Sequence, residues 1–130
     1  VYAHHYGDDG SSNVQKTNRV RALFQHAERK NLRPLLEYLD QHSKVELIGK
    51  PSTKLRAPTV AFTVDGTNPA EIASQLAARG IGIGNGNCYA YRLMEALSID
   101  PEQGVARLSF VHYTNKEEMD RLLESLDTIL

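Results

Sequence analysis

Arg107 stands inside the run Val105-Ala106-Arg107-Leu108-Ser109-Phe110-Val111, which otherwise reads as a buried strand. A cation there must reach water or find an anion, because an unpaired buried charge is costly. The planar fork of an arginine suits bidentate binding of a carboxylate. Arg107 is therefore a candidate anion-binding residue, and the anion need not belong to the protein. Strict alternation sets it on the face of Val105, Ser109 and Val111, away from Leu108 and Phe110. That leaves two readings open, an arginine on a solvent face and an arginine at a ligand.

The run GIGIGNGN, residues 80–87, is the second candidate. It lacks the third glycine of the dinucleotide fingerprint, and no Walker lysine follows. Asn85, Gly86, Asn87 and Tyr89 then belong either to flexible turn chemistry or to a backbone that approaches a ligand ahead of a helix N-terminus. Cys88 closes the loop near that helix start, where a thiolate is favoured; the plainer reading is a small, partly buried residue. No histidine is close in sequence to make a Cys-His pair. His4, His5, His26, His42 and His112 lack metal-ligand spacing. His112, beside Tyr113, reads as a structural hydrogen-bonding residue.

The elements that must position these residues follow from the pattern. Residues 1–13 read as an irregular lead-in. From Val14 to about His42 the period is helical, with Val20, Leu23, Phe24 and Ala27 on one face and Leu32, Leu35, Leu36 and Leu39 continuing it. Pro34 should kink this helix or divide it in two. Val45 to Ile48 suggests a short strand, and residues 58–64, PTVAFTV, a central or half-buried one. Asn68-Pro69-Ala70-Glu71 is a helix start, with Glu71 reaching back to the cap and Gly80 as the stop. Ile81 to Ile83 reads as a strand edge, residues 84–87 as a loop, and residues 89–97 as a helix. The strand 105–113 leads to a last helix starting at Thr114, with Glu117 completing a capping box. The order predicts an α+β two-layer domain: a mainly antiparallel sheet of about four strands, helices on one face, and a long N-terminal helix in front, kinked or divided at Pro34.

With 130 residues the chain fits one domain. A net charge of -1, from 15 basic and 16 acidic residues, offers no field for nucleic acid or an anionic membrane surface. No apolar run approaches the ~20 residues that span a bilayer. A single cysteine excludes an internal disulfide and a multi-thiolate zinc site, so a reducing, cytoplasmic setting is the expectation. Val1 in place of an initiating Met suggests a piece of something longer.

Taken in order, RAPTVAFTV, a helix, RGIGIGNGNCYAYRLMEAL, the Arg107 strand and HYTNKEEMDRLLESL resemble a known series. It is that of the C-terminal small domain of class V aminotransferases, pyridoxal-phosphate enzymes of fold type I, and in particular the cysteine desulfurase and selenocysteine lyase group. The resemblance implies that residues 44–130 are that small domain and that residues 14–43 are the helix linking it to a large domain. It gives Arg107 the α-carboxylate of an amino-acid substrate, with Asn85, Gly86, Asn87 and Tyr89 in an active-site loop. True desulfurases carry a persulfide cysteine in that loop. Aligning on Gly86 and Ala90 puts Tyr89 at the cysteine position and Cys88 one residue early, like a subgroup with tyrosine there. The family's Schiff-base lysine and its pyridinium-binding aspartate lie in the large domain. None of Lys16, Lys30, Lys44, Lys50, Lys54 and Lys116 follows a histidine as that lysine usually does. The implied full enzyme is a homodimeric lyase or transferase that binds pyridoxal phosphate, whereas this chain alone should bind none and be inactive. Two other readings compete. One is a free-standing module that binds an amino acid or small anion at the Gly/Asn loop. The other is an interaction domain that docks a partner through helix 115–130.

Overall fold

Ser12 starts the first helix. Its hydroxyl accepts from the Gln15 amide while the Gln15 side chain accepts from the Ser12 amide, a reciprocal capping box. The computed structural model describes residues 10–130, so most of the expected lead-in, with His4 and His5, lies outside the described residues. Helix α1 spans Asn13–Gln41. Pro34 does not divide it: one helix runs through. Proline removes one backbone hydrogen bond, but Leu32, Leu35, Leu36 and Leu39 are buried on both sides of it and hold the two turns to one surface.

The other elements are β1 (Val45–Ile48), β2 (Thr59–Val64), α2 (Pro69–Ala78), β3 (Gly84–Gly86), α3 (Tyr91–Ala96), β4 (Val105–Ser109) and α4 (Lys116–Ile129). The strands form one antiparallel sheet in the order β1-β2-β4-β3. Alternation in β2 sends Val60, Phe62 and Val64 inward. They meet Ala106 and Leu108 of β4, the leucines of α1, Ile72 and Leu76 of α2, and Met119, Leu122 and Leu126 of α4 in a single core. Helices α1, α2 and α4 thus cover one face of the sheet. The architecture is the two-layer α+β domain that the order of elements predicts.

Five local expectations shift. The strand foreseen at Ile81–Ile83 forms instead at Gly84–Gly86. Gly80, at φ +74°, closes α2 with its own amide on the Ala77 carbonyl and the Ile81 amide on Leu76. The chain then crosses to β4 with Ile81 and Ile83 against the core, and pairing begins only at Gly84. Helix α3 is shorter than residues 89–97, because Cys88 and Tyr89 hold φ of +51° and +63°, outside helical space. Strand β4 ends at Ser109, and the last capping box lies one residue later than foreseen. Asn115 caps α4 with Glu118 as its partner, while the Thr114 hydroxyl accepts from the Val111 amide. Glu71 does not reach back to its cap; its carboxylate accepts from the Gln75 side chain, and Asn68 caps the Ala70 amide alone.

Candidate functional site

Arg107 lies on the sheet face that the three core helices leave open. It is exposed between buried Ala106 and Leu108, which point into the core. The register sets Ala61 opposite it on β2 and Gly84 opposite it on β3, with Ile48 of β1 beyond Ala61. Directly opposed residues share a face, so one row reads Ile48, Ala61, Arg107, Gly84. The guanidinium lies against Gly84: a Cβ built there would be 3.4 Å from Nε and 3.5 Å from Nη2. No described residue is a hydrogen-bond or ion-pair partner of this side chain.

Other arginines are used differently. Arg56 donates to the carbonyls of Lys50 and Thr59, its Nε is buried without a partner, and burial lowers its pKa from the ordinary value. It ties the β1–β2 connection together. Arg79 donates to the Gln75 carbonyl at 2.9 Å. Arg107 has its donors free between Ala61 and Gly84, where an anion from outside the domain can reach them.

The run foreseen as a loop divides into two parts. Asn85 pairs with Ala106 and shares its face, so its side chain departs from the side opposite Arg107. Gly84 and Gly86 are on the Arg107 side. Asn87 is occupied by the fold: its Nδ2 donates to the Pro101 carbonyl at 3.2 Å, and its Oδ1 accepts from the Tyr89 amide at 3.1 Å. Cys88 is half-buried on the turn, and Tyr89 is fully exposed beside it. The structure therefore brings Arg107 and Gly86 to one face, continues into Asn87 and Tyr89 at the edge, and separates Asn85 from them.

Ala61 escaped the sequence reading, and Gly84 entered it only as part of the Gly/Asn run, not as the residue opposite Arg107. A signal was present, since Gly80, Gly82, Gly84 and Gly86 alternate with the strand period of two. His112 stacks on Phe24 at a centroid distance of 3.7 Å instead of forming the expected hydrogen bond, so β4's exit is tied to α1. Asn31 reinforces the tie by donating to the Thr114 carbonyl at 2.7 Å. Among the described residues no three His, Cys, Asp or Glu side chains cluster as metal ligands, and no helix is long and apolar enough to cross a membrane.

The residues present do not fit pyridoxal phosphate. Lys16 and Lys30 are on α1, Lys50 and Lys54 on the β1–β2 connection, and none is on a sheet strand beside Arg107. Lys44 donates to the Leu130 carbonyl, and Lys116 pairs with Asp120. The Gly/Asn backbone is taken up by strand pairing and by the Asn87 turn, not by a phosphate cradle.

Residues 17–122 match the family model described as aminotransferase class V. An aminotransferase-like protein of Gibberella zeae is 32% identical over 112 residues, covering 84% of this chain and 28% of the relative. A probable cysteine desulfurase of Halalkalibacterium halodurans is 33% identical over 89 residues, covering 68% and 21%. Among solved structures, the apo cysteine desulfurase of Thermococcus onnurineus superposes with a TM-score of 0.75 at 28% identity, covering 83% of this chain and 26% of that one. The chain spans about a quarter of the length of these relatives.

Proposed function

Since the chain belongs to the class V aminotransferase family, we propose that it is the C-terminal small domain of a pyridoxal-phosphate enzyme of the cysteine desulfurase-like kind, and that it contributes the arginine which binds the substrate's α-carboxylate. The observation that carries this reading is the unpartnered Arg107 guanidinium on the open sheet face, bedded between Ala61 and Gly84. A carboxylate brought to it gains two parallel charge-assisted hydrogen bonds, and the small neighbours leave room for an amino acid. The turn at residues 87–90 borders that face, and the exposed Tyr89 ring is suited to cover a bound substrate. Helix α1 links this domain to the large one. Its C-terminal half is locked to the sheet by Leu32, Leu35, Leu36 and Leu39, while Val14 and Leu23 near its start stay exposed. No lysine of this chain stands where it could anchor the cofactor, so the chemistry belongs to the large domain and the isolated chain is inactive.

The test uses the protein expressed from its whole reading frame and loaded with pyridoxal phosphate. L-alanine and L-cysteine are titrated against the cofactor's visible absorbance. Arg107→Ala should weaken both by about 10- to 100-fold, the worth of a charged bidentate pair. Arg107→Lys should recover only part, because one ammonium cannot reproduce the fork. Unchanged affinity in Arg107→Ala would remove the arginine from the site.

A further inference from the structure

Gly84 is not among the residues with positive φ, so its backbone does not call for glycine. A glycine inside a strand weakens the sheet and often marks a place where something must approach closely. Here the side chain it faces is Arg107. The atoms nearest its absent Cβ are Nε and Nη2, at 3.4 and 3.5 Å, which together form one donor edge of the fork. Gly82, two residues earlier, has nothing within 4 Å.

We propose that Gly84 is a positioning and specificity residue, resting on the reading of Arg107 as the carboxylate anchor: its bare backbone keeps the Nε and Nη2 edge of Arg107 open, so that the two oxygens of an amino-acid carboxylate can be received side-on above the edge strand. A single methyl at position 84 would sit in ordinary contact with the two nitrogens. A γ-carbon would occupy the space the carboxylate needs, or push the guanidinium off the sheet. Valine fills two of the three staggered positions about its Cα–Cβ bond, so it cannot turn both methyls away. The opposite side of the row is Ala61, whose methyl offers the guanidinium no hydrogen bond if it is displaced that way. Gly84 therefore sets how large a group may stand beside the carboxylate.

The same L-alanine and L-cysteine titrations test this, with Gly84→Ala, Gly84→Val and Gly82→Val compared with the parent. Gly84→Ala should stay within about 3-fold and Gly84→Val should weaken both amino acids by about 10-fold or more, with the thermal midpoint unchanged or raised, since valine favours strands. Gly82→Val should bind as the parent does. Turnover at saturating amino acid should change far less than affinity, because the residue positions a binding group. Parental affinity in Gly84→Val, with Arg107→Ala still impaired, would overturn the proposal, as would equal losses in Gly84→Val and Gly82→Val. A silent Arg107→Ala would instead strike the underlying reading of the site.

Discussion

Gly66 and Gly104 hold the same φ of +69° in different surroundings. A Cβ on Gly66 would meet nothing within 4 Å, whereas on Gly104 it would fall 2.0 Å from the Gly86 carbonyl carbon and 2.5 Å from the Asn87 amide nitrogen. The two backbones bridge at Gly86 and Gly104, and that contact holds the end of β3 against the turn before β4. Gly66→Ala should therefore cost only the left-handed backbone penalty, about 1 kcal/mol. Gly104→Ala adds a backbone collision and should cost about 3 kcal/mol or more. Urea denaturation of both variants gives the comparison. Equal losses would show that only the backbone angle matters at Gly104. At this scale Arg107 was legible as a chemical oddity, a cation in a strand. Its free donors were not, because alternation names a face and cannot say whether that face is covered.

Helix α1 offers the clearest conflict between local rule and outcome. Pro34 is exposed in the interior of a continuous helix, and its missing N–H leaves the Lys30 carbonyl without its helical partner. Pro34→Ala restores that bond but gives the unfolded chain more freedom. The net gain should be about 1 to 2 kcal/mol, read as a raised denaturation midpoint with slightly more helical dichroism. A loss of stability would mean that the proline bends α1 to fit Leu32 and Leu39 to the same sheet. The leucine spacing on either side made this helix readable despite the proline. Strand β2 was readable for the same kind of reason, since its β-branched residues alternate cleanly. Strand β3 was not, because Gly-Asn-Gly has no side chains with a strand preference. Its pairing is imposed by β4 once Gly80 has turned the chain. The one-residue slip of the last capping box has a similar origin. Thr114 and Asn115 can each cap a helix, and Asn115 takes the role because the Thr114 hydroxyl is engaged with Val111.

Across the whole molecule, one sheet separates two tasks. The face under α1, α2 and α4 makes the domain stable, and the face with Arg107 lies outside that core, where the proposed function places the binding group. If the large domain supplies the cofactor, this division has a direct consequence for the chain by itself. Pyridoxal phosphate reacts with exposed amines in general, but a lysine in a built site reacts far more readily, because a held phosphate and a depressed amine pKa favour it. No such lysine stands beside Arg107. Lys44 and Lys116 are held by Leu130 and Asp120, and the lysines of the β1–β2 connection are exposed. Mixing the 130-residue chain with the cofactor, fixing with borohydride and mapping the label by mass spectrometry should therefore give weak labelling scattered over surface lysines. The mixture should neither turn over L-cysteine or L-alanine nor retain cofactor through gel filtration. Stoichiometric labelling of one lysine, with the cofactor retained, would mean that the domain holds a complete site. The division of labour between the two domains would then be abandoned, although Arg107 could still be the group that takes the carboxylate.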